Sequence, residues 1–182
     1  RTMPVAEVDR AQLITLMVGR EIGNEYPKLP AQITDVALEA KGLNRTGVIH
    51  DVSFSVRHGE ILGFAGLVGA GRTETARVIF AADKLTSGEI FINGQRVDLR
   101  SVRDAIRHRI ALIPEDRKQQ GLILGMSIKH NTSLVNLNNV CENGLLSARK
   151  EQQLSAEMIK KLSIATPSEE KEVRLLSGGN QQ

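Results

Sequence analysis

The chain has 182 residues, of which 41% are hydrophobic and 25% charged, which is enough for a domain with a buried core. A formal net charge of +3 gives no strong electrostatic case for nucleic acid. One cysteine, Cys141, excludes a disulfide framework and a cysteine-built zinc site, and no run approaches the roughly 20 apolar residues that span a bilayer.

In chain order, residues 9–22 predict a short helix capped by Asp9, with Leu13, Leu16 and Met17 on one face. Residues 23–34 hold Pro27 and Pro30 and read as a linker. Val36, Leu38 and Ala40 then alternate with polar or small neighbours. Val52, Phe54 and Val56 alternate more cleanly with Ser53, Ser55 and Arg57. Residues 60–65 are a continuous, mostly apolar run and predict a buried strand. Residues 74–82 carry Ala76, Val78, Ile79 and Phe80 and predict a packed helix.

Residues 89–92 predict another strand, closed by the turn pair Asn93-Gly94. Ser101 and Asp104 form a capping pattern ahead of a helix whose Arg100, Arg103 and Arg107 read as a solvated face. Residues 110–113 predict a second buried strand. After Pro114 helices dominate: residues 129–137, then residues 148–164 with Leu154, Met158, Ile159 and Leu162 as the buried face. The histidines, His50, His58, His108 and His130, lack metal-ligand spacing.

Chemistry concentrates in Gly66-Leu67-Val68-Gly69-Ala70-Gly71-Arg72-Thr73. This fits the phosphate-binding pattern G-x-x-x-x-G-K-S/T except at Arg72, which stands where lysine belongs. Glycines let several backbone N–H groups converge on phosphate oxygens, and the following helix adds its positive end. Thr73 supplies a hydroxyl where Mg²⁺ is held, and Glu74 follows in the first turn. Arginine is longer, planar and forked, so its exchange for lysine is not conservative. The strand–loop–helix setting predicts a nucleotide site for ATP with Mg²⁺, held weakly or without turnover.

A second motif, Leu176-Ser177-Gly178-Gly179-Asn180, lies about one hundred residues on. Following a phosphate loop and a helical insert, it resembles the LSGGQ signature of ABC-type ATPases, with Asn180 in place of glutamine. Pro114-Glu115-Asp116-Arg117-Lys118-Gln119-Gln120-Gly121-Leu122 resembles a stretch in the second ATPase domain of monosaccharide importers of the ribose, galactose and xylose type. Leu16-Met17-Val18-Gly19-Arg20 is similar to the tail of that family's first domain. The likeness covers essentially the whole chain.

The resemblance implies an α/β fold, an ABC-type P-loop NTPase domain expected to be incomplete at its C-terminus. It implies a first-domain tail over residues 1–22, a linker over 23–34, a RecA-like β lobe with a degenerate phosphate loop over 35–116, and a helical subdomain over 117–182 ending in the signature. Two composite ATP sites are implied. Residues 66–74 serve the degenerate one, and Ser177, Gly178, Gly179 and Asn180 complete the other against the preceding domain's phosphate loop. Glu115 and Asp116 occupy the Q-loop position, which couples the site to membrane subunits, and Glu115 replaces its glutamine. No adenine-stacking aromatic lies between Ala40 and Asp51.

The resemblance further implies that the Walker B aspartate, the catalytic glutamate and the H-loop histidine lie beyond Gln182, so no catalytic residue is expected within the segment and the segment alone is expected to be inactive. Implied partners are the preceding ATPase domain, transmembrane permease subunits and, indirectly, a sugar-binding protein. No nucleic-acid partner is implied, and the implied place is the cytoplasmic face of the cell membrane. Two other classes stay open: a nucleotide-gated interaction domain without turnover, and a soluble ABC protein acting on ribosomes or DNA.

Overall fold

A computed structural model describes residue 4, residues 8–18 and residues 30–182. Residues 19–29, which include the first part of the linker expected over 23–34, lie outside the described residues. Helix α1 spans Arg10–Val18. Asp9 caps it as expected: its Oδ1 accepts from the Gln12 N–H at 2.7 Å, and Gln12 Oε1 accepts from the Asp9 N–H at 3.2 Å. This is a reciprocal capping box. Leu13 and Met17 on its apolar face are exposed.

The antiparallel sheet uses β1 (Val36–Arg45), β2 (Ile49–Arg57), β3 (Ser87–Ile92) and β4 (Gln95–Val97) in the order β2-β1-β3-β4. Ala40 pairs with Phe54 on one side and Ile90 on the other, which fixes the buried face. Val52, Phe54 and Val56 turn inward between exposed neighbours, as their alternation predicts. Asn93 and Gly94 close the β3–β4 hairpin with φ of 49° and 75°, the positive values that its two-residue turn requires.

Helix α2 (Arg72–Ile79) packs Val78 against Ala40, Leu43, Ile49 and Ile90, which form the first core cluster. Helix α3 (Val102–Arg107) starts at Ser101, whose Oγ accepts from the Asp104 N–H. A single π turn at Arg117–Gly121 leads to α4 (Ile128–Leu134), α5 (Leu137–Val140), a small hairpin of β5 (Cys141–Glu142) and β6 (Leu145–Leu146), and α6 (Ala148–Lys161). A 3-10 turn at Val173–Leu175 precedes α7 (Gly178–Gln181). Ile128, Val173 and Leu176 form the second core cluster. No helix among the described residues is long and apolar enough to cross a membrane.

The two expected buried strands do not form. Residues 60–65 and 110–113 pair with no strand among the described residues, and Ile61 and Ile113 are 97% and 84% exposed. A continuous apolar run becomes a doubly buried strand only where hydrogen-bonded neighbours flank it, and neither run has them among the described residues. Phe64 still anchors the first run by an edge-on contact with Phe54, with centroids 4.9 Å apart.

Helix α6 also departs from the expected face. Leu154, Met158 and Ile159 are half-buried and Leu162 is exposed, while the buried residues are Glu151 and Ser155. Glu151 is tolerated there because it accepts a hydrogen bond from Ser133 of α4. The helix ends early, three residues short of Ile164, and Ser163 takes a left-handed φ of 54°.

Candidate nucleotide site

The loop before α2 turns on two glycines. Gly69 and Gly71 have φ of 84° and 80°, which side chains disfavour. At Gly71 a Cβ would also sit 3.0 Å from the Ile49 methyl Cγ2. Gly71 is the N-cap of α2, and no side chain caps that helix. The buried Thr75 hydroxyl donates to the Gly71 carbonyl at 2.8 Å and holds the loop's exit. The first-turn N–H groups are thus left to an outside acceptor, at the helix's positive end. Leu67 and Val68 at the crest are 86% and 99% exposed.

Arg72 and Thr73 are both exposed, and Glu74 lies in the same first turn. The Thr73 hydroxyl donates to Glu115 Oε2 at 3.0 Å. Both groups line a cleft of about 350 Å³ that also contains Phe64, Arg72 and Gln120. Their donor set fits Mg²⁺, a hard cation that takes oxygen ligands. Two oxygens 3.0 Å apart are spaced like neighbouring corners of an octahedron with bonds of about 2.1 Å. Among the described residues there is no cluster of three or more His, Cys, Asp or Glu side chains suited to a metal.

Asp116, expected beside Glu115 in a coupling role, does local work in the structure. Its Oδ1 accepts from the N–H groups of Lys118 and Gln119 at 3.0 and 3.2 Å and caps the π turn. The next residue, Arg117, reaches the signature: a Cβ placed on Gly178 would lie 2.9 Å from Arg117 Nη2. Residues 115–117 therefore touch the phosphate loop at one end and the signature helix at the other. This pair of contacts joins segments far apart in the chain, and no local sequence pattern announces it.

Ser177 stands at the start of α7, exposed, and its hydroxyl does not cap the helix. Gly178 and Gly179 are exposed and Asn180 is half-buried. Gln181 fastens the helix from below, its Nε2 donating to the Val173 and Leu176 carbonyls at 3.1 and 3.3 Å. A clamp behind the phosphate loop also escaped sequence reasoning. Arg77 holds Asp83 through bonds of 2.8 and 2.9 Å, and Arg45 approaches the same carboxylate at 3.0 Å. Hydrogen bonding from Arg77 keeps the Asp83 carboxyl below the usual carboxylate range, against the upward push of burial.

The family model described as ABC transporter matches residues 49–182. The chain belongs to the ABC transporter family. It is 48% identical over its whole length to "Ribose import ATP-binding protein RbsA" of Bacillus cereus, of which it covers 36%. It is 49% identical to "Ribose import ATP-binding protein RbsA 3" of Rubrobacter xylanophilus, again covering all of this chain and 36% of the relative. A Burkholderia lata protein named "Putative ribose/galactose/methyl galactoside import ATP-binding protein 1" is 46% identical over the same shares. The ABC chain thus spans about a third of the length of these relatives.

Among solved structures, a dimeric ATP-binding cassette in a post-hydrolysis state with ADP and Pi matches with a TM-score of 0.63 at 21% identity, over 79% of this chain and 65% of that one. The CbiO1 protein of Clostridium perfringens matches with a TM-score of 0.60 at 18% identity, over 81% and 59%. At these identities the likeness is one of fold. It agrees with the α/β, ABC-type P-loop reading of the sequence.

Proposed function

We propose that this chain is a nucleotide-binding segment of an ATP-driven importer of a simple sugar of the ribose or galactose type. The names of its relatives support the substrate class. The observation that carries the nucleotide reading is the left-handed turn at Gly69 and Gly71, feeding an uncapped α2 whose Thr73 hydroxyl meets Glu115. Calorimetric titration of the purified chain with Mg-ATP tests it. Binding that Gly71→Asp abolishes is the expected result. Equal binding by that variant refutes the reading.

Within the parent protein the segment is read as the second of two ATPase domains. Residues 1–22 would end the first domain, 23–34 link the two, 35–116 form the RecA-like lobe, and 117–182 the helical subdomain. The separate core clusters around Ala40 and around Ile128 support the last division. Arg72 marks the segment's own site, residues 66–74 with Mg²⁺ on Thr73, as degenerate. Ser177 to Asn180 would complete the competent site on the preceding domain. Glu115 and Asp116 would face the coupling route to transmembrane permease subunits, which receive sugar from a binding protein. The work would be done peripherally at the cytoplasmic face of the membrane, without nucleic acid.

The segment alone is expected to release no phosphate from Mg-ATP, since Arg72 stands where the phosphate-loop lysine belongs. Phosphate release that Gly71→Asp abolishes would count against this. Arg72 at the lysine position also favours a second reading, a nucleotide-gated interaction domain that binds without turnover. Binding without hydrolysis at this site in the full-length protein would distinguish it.

A further inference from the structure

We propose that Asn180 is a positioning residue that turns the Ser177 hydroxyl into an outward hydrogen-bond donor. The inference rests on the reading above, in which Ser177 faces a nucleotide phosphate. Asn180 makes two hydrogen bonds. The Ala165 backbone N–H donates to Asn180 Oδ1 at 3.0 Å, and Asn180 Nδ2 donates to Ser177 Oγ at 3.0 Å.

The direction of each bond follows from elementary chemistry. A backbone N–H can only donate, so the amide atom that faces Ala165 must be the carbonyl oxygen. The NH₂ group is then forced towards Ser177, and a primary amide nitrogen can only donate. Ser177 Oγ therefore accepts from Asn180. A hydroxyl has one proton, and here that proton is not used in the contact. In this structure Ser177 Oγ takes part in that one bond only, as the acceptor. Among the described residues, Ser177 Oγ has no acceptor for it.

Ser177 is exposed, so the spare proton is available to an anion from outside. The anchor is firm on the other side. Ala165 follows Ile164, which packs against the second core cluster. Asn180 thus ties the signature serine to the loop that leaves α6, and fixes which way its hydroxyl reads. Replacing the amide by a carboxylate reverses this. Asp at 180 would keep the Ala165 bond but would accept from Ser177 and capture its proton.

The test uses the full-length polypeptide that contains this segment, in its assembled importer. Steady-state ATP hydrolysis and melting temperature are measured for Ser177→Ala, Asn180→Asp, Asn180→Ala and the double variants Ser177→Ala/Asn180→Asp and Ser177→Ala/Asn180→Ala. Losing one donor at a reacting centre lowers kcat by about 10²–10³-fold. Ser177→Ala and Asn180→Asp should both approach that loss. Asn180→Ala should lose less, because its Ser177 hydroxyl stays free to donate. Neither double variant should be worse than Ser177→Ala, as expected for residues acting through one contact.

A purely structural Asn180 predicts the opposite order, because only Asp keeps the bond to Ala165. Simple charge repulsion by Asp predicts that its loss persists when Ser177 is alanine. Either result overturns the proposal, as does full activity in Asn180→Asp. Should Asn180→Asp fail to fold, Asn180→Ala carries the test: its loss must vanish in the Ser177→Ala background, and persistence overturns the proposal. A silent Ser177→Ala instead overturns the phosphate-facing reading, and the positioning role falls with it.

Discussion

The Thr73 hydroxyl donates to the Glu115 carboxylate at 3.0 Å, across 42 residues of sequence. The glycine-loop threonine proposed to hold Mg²⁺ is thereby joined to the stretch that follows Pro114. A hydroxyl and a carboxylate at this separation can share a divalent cation, whereas without one the carboxylate presents a bare negative charge to an incoming phosphate.

That relationship predicts a reversed metal response. Glu115→Gln removes the repulsion and should strengthen metal-free ATP binding. Two unit charges about 4 Å apart in water interact by about 1 kcal/mol, which is about fivefold in affinity. The same variant should gain less from Mg²⁺ than the native chain does. Titration with ATP in the presence of chelator and of Mg²⁺ measures both. A variant with unchanged metal dependence would separate Glu115 from the cation.

The two loop glycines should respond differently to a side chain. Gly71 combines φ of 80° with a neighbouring methyl at 3.0 Å from a built Cβ, whereas Gly69 has φ of 84° and open space around it. The backbone term alone is about 1–2 kcal/mol for an L-residue. Gly71→Ala should therefore destabilise the fold by more than that, and Gly69→Asn by less, since asparagine tolerates the left-handed region. Urea unfolding of the two variants gives the comparison. Equal destabilisation would show that Ile49 yields freely.

The Asp83 clamp predicts acid sensitivity. Its folded-state pKa is lowered, so its contribution is present above the unfolded carboxylate value of about 3.9 and is lost as pH falls through the lower folded value. The side chain is 12% exposed between Arg77 and Arg45. Hydrogen bonds to charged groups contribute about 1.5–3 kcal/mol. Asp83→Asn should lose stability of that order at pH 7 and flatten the acid limb of the stability curve. Unfolding midpoints between neutral and strongly acid pH test this. A native acid limb in the variant would place the sensitive carboxylate elsewhere.

Much of the local structure was legible because its causes are local. The Val52, Phe54, Val56 alternation, the Asn93-Gly94 turn and the Ser101 cap each depend on residues a few positions apart. Residues 60–65 and 110–113 misled because apolar content secures neither a ladder partner nor burial, and Ile61 and Ile113 stay largely exposed. In α6 the amphipathic pattern continued past the helix that formed, which ends at Lys161. At the site, the glycine loop and Ser177 could be read from motif chemistry. Arg117 over Gly178 and Asn180 on Ala165 could not, because those contacts join segments that only the fold brings together.

Base preference should be weak. No aromatic residue lies between Ala40 and Asp51, where the resemblance places the adenine-stacking side chain. Base–aromatic stacking contributes about 1–3 kcal/mol in nucleic-acid sites. Without it, affinity rests on loop and helix-end contacts to phosphate, which ATP and GTP share. Calorimetry should return similar, modest affinities for the two. A strong preference for ATP would locate an adenine pocket built by other residues.

The unequal roles proposed for the two motifs give the last prediction. Ser177 is exposed with its hydroxyl proton unclaimed, as a donor to a phosphate on the preceding domain would be. Arg72 serves the site whose loop already departs from the lysine pattern. Preorganised donors at a reacting phosphoryl group contribute about 2.7–4 kcal/mol. Ser177→Arg removes the donor and fills the space needed for closure, so it should nearly abolish transport-coupled ATP hydrolysis in the reconstituted importer. On the proposed assignment Arg72→Ala removes a cation from the degenerate site, so a substantial fraction of activity should remain. If Arg72→Ala proves the more damaging change, the competent and degenerate sites are the reverse of those proposed.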